Sequence, residues 1–88
     1  MQLQVRFTDA AGTPSTGYVM ARPADWWQGA GVIVTPAIVS AVLDASGVAV
    51  LDLADGPEYL VSDRITGLPP SPWLPYTGEW PTPHGEAL

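Results

Sequence analysis

The chain has 88 residues, of which 47% are hydrophobic and only 14% charged, and it has no cysteine. That length holds one domain, the composition is opposite to the signature of disorder, and neither a disulfide nor a thiolate metal site can brace the fold. Three arginines (Arg6, Arg22, Arg64), no lysine and nine carboxylates give a net charge of −6, so the clustered basic footprint that phosphate recognition needs is missing and no nucleic-acid partner is expected.

Met1 is followed by the alternating Gln2-Leu3-Gln4-Val5-Arg6-Phe7 rather than by a basic region and an apolar run, which predicts synthesis in the cytoplasm without a signal peptide. Uninterrupted apolar stretches of a few residues fall far short of the roughly 20 that span a bilayer, so no membrane partner is expected. Residues 2–8 place Leu3, Val5 and Phe7 on one side of a predicted strand and polar residues on the other. The cluster 9–14 (Asp-Ala-Ala-Gly-Thr-Pro) is a turn, and a second strand runs from Thr16 to Arg22, where Pro23 stops it.

Residues 23–30 read as a loop with two adjacent tryptophans. Neighbouring side chains of an extended segment point oppositely, so Trp26 and Trp27 cannot both enter one core face. Short strands are predicted at Gly31–Thr35 and Ala37–Leu43, although Ala37, Ile38, Ala41 and Val42 also match a helical stripe; the β-branched residues and the flanking Pro36 and Gly47 favour the strand. Asp44-Ala45-Ser46-Gly47 has the chemistry of a tight turn. Strands follow at Val48–Leu53 and Glu58–Ile65, the latter with Tyr59, Val61 and Ile65 on one side.

Turn signals every 8–12 residues between alternating runs predict an all-β fold, a small antiparallel β-sandwich over residues 1–67. From Leu68 the composition changes: six prolines lie between positions 69 and 83, interleaved with Trp73, Tyr76 and Trp80. Repeated proline removes ladder donors and favours extended backbone, so residues 68–88 are expected to form a Pro/Trp-rich arm outside the core, with at most a short piece near Trp73–Tyr76 on a sheet edge. A chain cut at Leu68 is then expected to fold but not to assemble.

The one histidine, His84, lies in that arm without an evident nucleophile, so no catalytic residue is assigned and no enzyme is expected. Asp52, Asp55, Glu58 and Asp63 form the nearest carboxylate group; their positions read as solvation of sheet faces and turns, with Arg64 able to pair with a carboxylate across strands. Asp44, Ser46 and Asp52 lack the full pattern of a calcium loop, and no cofactor or metal is expected. The aromatic residues carry more information. Trp26, Trp27, Trp73, Pro75, Tyr76 and Trp80 lie outside the regular strands and are the candidate protein interface, since tryptophan buries much area for little lost rotamer entropy. Trp73 and Trp80 could equally fold back over the chain's own sheet.

An opening strand, a turn with glycine and proline, a second strand ending in Arg22-Pro23, and then GVIVTPAIVSAVLDASGVAVLDLADGPEYLVSDRITG (residues 31–67) together resemble small β-sandwich modules of tailed bacteriophages of actinobacteria, found in minor tail or tail-fibre proteins. The Leu43-Asp44-x-x-Gly47 turn and the Tyr59-x-Val61 strand also look like transthyretin-like and other immunoglobulin-like modules. Such modules close with a further regular strand after Ile65-Thr66-Gly67, where this chain has LPPSPWLPYTGEWP. The resemblance implies a virion structural protein made in the host cytoplasm, a minor tail component that assembles with other tail or capsid proteins and as a homo-oligomer. The alternatives are a capsid decoration protein and a carbohydrate-binding module that stacks sugar rings on Trp26 and Trp27.

Overall fold

The computed structural model describes residues 1–88 and contains nine strands and no helix. They are β1 (Gln2–Phe7), β2 (Gly17–Pro23), β3 (Trp27–Gly29), β4 (Val32–Val34), β5 (Val39–Val42), β6 (Val48–Asp52), β7 (Tyr59–Ile65), β8 (Leu74–Pro75) and β9 (Gly85–Ala87). All pairings are antiparallel, in a sheet ordered β6-β1-β9, a sheet ordered β5-β2-β7-β8, and a separate β3-β4 hairpin. The segment with helical spacing is therefore strand β5: β-branched side chains suit a pleated surface, and Pro36 and Gly47 bound it.

Period-two alternation sets which side chains meet. Leu3, Val5 and Phe7 of β1 are buried while Gln2, Gln4 and Arg6 are exposed, and they join Ala49 and Leu51 of β6, Val19 and Ala21 of β2, and Tyr59, Val61 and Ile65 of β7 in one core. Each large side chain so buried contributes about 1.5–3 kcal/mol.

Two turns share one construction. In Asp9-Ala10-Ala11-Gly12 and Asp44-Ala45-Ser46-Gly47 the glycine N–H donates to the aspartate carbonyl, the aspartate N–H to the carbonyl four residues on, and the aspartate Oδ1 accepts the N–H groups two and four residues on at 2.8–3.0 Å. Both glycines have positive φ, +82° and +76°, which L-residues with a β-carbon rarely adopt. At Gly47 a β-carbon would also collide with the Phe7 carbonyl, whose residue donates its own N–H to Gly47 O at 2.9 Å. The second turn thus locks β1 against the connection from β5 to β6.

The C-terminal segment is the main departure from the expected architecture. Residues 68–88 do not extend away as an arm. β8 pairs with β7, β9 pairs with β1, and the Leu88 N–H reaches Gln4 O at 2.9 Å. Trp80 is 6% exposed within the core and meets the Phe7 ring edge-on, with centroids 5.6 Å apart and planes at 83°. The prolines do limit the ladders, as P-rich backbone must: β8 has two residues and β9 three. They leave enough backbone between them for Trp80 to fill the space between the sheets.

Removal of residues 68–88 is therefore expected to unfold the chain, in place of the folded remnant that an outlying arm implies. Loss of a buried tryptophan alone costs about 3–5 kcal/mol, comparable to the roughly 3–5 kcal/mol that a core of this size supplies. Far-UV circular dichroism and urea titration of a chain ending at Gly67 check this, and a cooperative transition near that of the full chain would contradict it.

Candidate functional site

β7 is one of the two inner strands of the larger sheet, and alternation turns Tyr59, Val61, Asp63 and Ile65 to the core. Asp63 therefore faces inward and is 1% exposed, so it does not solvate a sheet face as expected from its charge. Its Oδ2 accepts the Trp80 indole N–H at 2.9 Å and the Thr82 hydroxyl at 2.8 Å. Both donors come from the C-terminal segment, which places Trp80 in an internal role and removes it from the set of residues that could touch a partner.

On the opposite face of β7, Arg64 does not pair with a carboxylate. Its Nη1 donates to Ser62 Oγ and to the carbonyls of Asp63 and Ser71, and Ser71 Oγ in turn receives the Asp63 N–H at 2.7 Å. This network holds residues 69–72 over the sheet and delivers Trp73 to Arg22, whose guanidinium carbon lies 4.9 Å from the indole centroid. Cation–π contact of this kind contributes about 0.5–1 kcal/mol where solvent reaches it. The ion pair present in the fold joins the Met1 ammonium to Asp55 at 2.8 Å, while Asp52 accepts a hydrogen bond from Gln2.

The remaining candidate residues converge at the Pro23 end of the sheets. Ala24 N–H donates to Glu58 O at 2.8 Å, and this link separates two shallow grooves. One, of about 160 Å³, is lined by Asp25, Trp26, Trp27 and Pro57 together with Ala24 and Glu58. The other, of about 380 Å³, is lined by Tyr59, Leu60, Pro75, Tyr76 and Thr77 together with the same Ala24 and Glu58. Register places Leu60 beside both Pro75 and Arg22, so Trp73 on Arg22 adjoins the second groove. Four of the six candidate residues thus line two grooves that share Ala24 and Glu58, built from segments some fifty positions apart, and Trp73 lies on the neighbouring Arg22.

Within that surface the two adjacent tryptophans differ. The Trp27 indole lies against the backbone of Gly29 and Gly56, where any β-carbon would collide with it, and is half-buried. Trp26 is 65% exposed. One ring anchors the β3-β4 hairpin on the Asp55–Pro57 turn and the other is free, as opposite side-chain directions require.

Other groups with chemical potential are engaged locally. A pocket of about 280 Å³ brings His84 near Asp9 and Ser15, but Asp9 Oδ1 caps its own turn, and no hydrogen bond links the imidazole to either residue. Asp44 spends its Oδ1 on Ser46 and Val48 N–H groups, and no three metal-ligating side chains converge. No helix is long and apolar enough to cross a membrane. Comparison with protein-family models, curated proteins and solved structures found no match to this chain.

Tyr59 ends the core beside these grooves, and its hydroxyl donates to Ala54 O at 2.9 Å. Burial pushes its phenol above the ordinary value of 10.0, and Asp55 adds to the rise. Because the folded form holds this proton more tightly, the associated stability is complete below the unfolded value and is lost as pH rises above about 10.0. Tyr59→Phe is expected to flatten that alkaline decline in urea titrations. Trp80→Phe keeps most of the ring volume but leaves Asp63 with one donor, and is expected to cost about 1–3 kcal/mol in the same titration.

Proposed function

We propose that this chain is a non-enzymatic structural protein of a bacteriophage particle, a minor tail component that assembles with other virion proteins through its aromatic surface. In this reading the two packed sheets form a small β-sandwich of immunoglobulin-like or transthyretin-like type, made in the host cytoplasm and retained in the virion. The supporting observation is that Trp26 on one side and Pro75 and Tyr76 on the other line grooves that share Ala24 and Glu58, with Trp73 on the neighbouring Arg22. Aromatic side chains held on a rigid sheet end, beside an arginine, have the composition of a binding hot spot. The C-terminal segment contributes through Trp73 to Tyr76, while Trp80 contributes through the core.

A sugar-binding role draws less support. Stacking on a pair of coplanar rings needs both faces open, whereas Trp27 is pressed on Gly29 and Gly56 and Asp25 Oδ1 already accepts the Trp26 N–H at 2.7 Å.

The test is to mix the purified protein with separated tail and capsid proteins and to follow light scattering and quenching of tryptophan fluorescence. A complex with a tail protein that shields Trp26, and that Trp26→Ala or Tyr76→Ala weakens roughly 30-fold, is the expected result for hot-spot residues worth about 2 kcal/mol. Binding to a capsid protein would move the protein to the shell. Protection by polysaccharide alone, with no virion protein bound, would overturn the reading.

A further inference from the structure

Sheet edges carry unpaired backbone groups, and proteins that stay monomeric guard them with charge, proline or short length. The larger sheet ends on one side in β8, two residues long with Pro75. The smaller ends in β9, three residues carrying Glu86, and in β6, which finishes at the exposed Asp52. Strand β5 differs from these three: Val39-Ser40-Ala41-Val42 has neither charge nor proline, and it is longer than the three-residue, likewise uncharged strands of the separate β3-β4 hairpin. It also lies in the uncharged run 26–43 of a chain with net charge −6.

The ladder shows which β5 groups are free. Leu43 N–H donates to Gly17 O at 2.9 Å, and the register Tyr18↔Val42, Val19↔Ala41, Met20↔Ser40 continues from it. Alternation in an antiparallel pair then directs the N–H and C=O of Ala41 and Val39 to β2, and those of Ser40 and Val42 outward. The Val42 side chain is 77% exposed on the outer face beside Tyr18.

We infer that β5 is a self-association edge, on which two copies of this chain pair antiparallel through the outward N–H and C=O groups of Ser40 and Val42. An antiparallel pair of identical strands is self-complementary about a two-fold axis. Centred on Ala41, Ser40 of each copy faces Val42 of the other, four backbone hydrogen bonds form, and the two four-stranded sheets become one of eight. Asp44 then falls opposite Ile38 of the second copy instead of opposite its own counterpart. The uncharged strip offers a basic or acidic partner no local attraction, and because it sets no carboxylates opposite one another, the repulsion between two chains of −6 is left to more distant, salt-screened charges. A pair of four-residue strands buries less than a standard interface of about 1,600 Å², so the dimer dissociates on dilution.

This edge is separate from the aromatic surface and uses no virion partner, so the test is made on the purified full chain alone. Sedimentation across a dilution series is expected to pass from twice the 9.3 kDa chain mass to the single chain. Amide hydrogen exchange is expected to slow at Ser40 and Val42 by roughly tenfold or more in the concentrated sample, while Val39 and Ala41 stay protected throughout. Val42→Lys is expected to give a monomer with unchanged circular dichroism, and Val50→Lys on the exposed face of β6 to leave the dimer intact. A monomer at every concentration overturns the inference, as does a dimer in which Ser40 and Val42 exchange as fast as in the monomer. Neither result bears on the aromatic surface, whose reading stands or falls on virion-protein binding.

Discussion

Burying even a neutral polar group between two sheets costs about 2–7 kcal/mol unless it is hydrogen-bonded, and a carboxylate costs more; β7 turns Asp63 in that direction by simple alternation. Val19, its cross-strand neighbour, has no side-chain donor to offer. Trp80 and Thr82 supply the donors, so the chain after Gly67 has to come back across the core. The same return brings the indole onto Phe7 and lays β9 beside β1. The C-terminal segment thus joins the two sheets, one through β8 and the other through β9, with the Asp63 contact between them.

This constraint divides the aromatic residues between inside and outside. Trp80 is spent on the core. Trp73 is left on the outer face over Arg22, steered there by the Ser71 network around Arg64, and Pro75 and Tyr76 are set at the sheet end by β8 and by the Tyr76 N–H bond to Tyr59 O at 3.0 Å. At the same end the β3-β4 hairpin is anchored by Trp27 and presents Trp26. The exposed aromatic surface and the closed core therefore depend on the same return of the C-terminal segment across the sheets.

The strands were legible in the sequence because their cause is local. Leu3, Val5 and Phe7 alternate with polar residues, and Asp44 with Gly47 carries its turn chemistry within four positions, so neither needs a distant partner to be read. Asp63 shows where legibility stopped. It shares the parity of Val61 and Ile65, and that parity was a usable sign that a carboxyl faced the core and required donors. Charge suggested solvent instead, and the donors lay 17 and 19 positions away in a segment whose prolines argued against pairing. Proline does forbid long ladders, but it permits the two- and three-residue pairings seen at β8 and β9.

What the sequence determined by itself was the all-β character, the approximate positions of β1, β2, β4, β5, β6 and β7, though not of β3, which lies in the segment read as a loop, and the two aspartate-glycine turns, since alternation and backbone conformational preference act within a few residues. Tertiary structure alone decided that the C-terminal segment belongs to the core, which tryptophan is buried, that Arg64 is held by carbonyls and a serine, and that Trp26 and Tyr76 share a surface. Those outcomes depend on contacts between distant positions, where hydrogen-bond satisfaction of one buried carboxyl outweighs the local preferences of the residues that supply it.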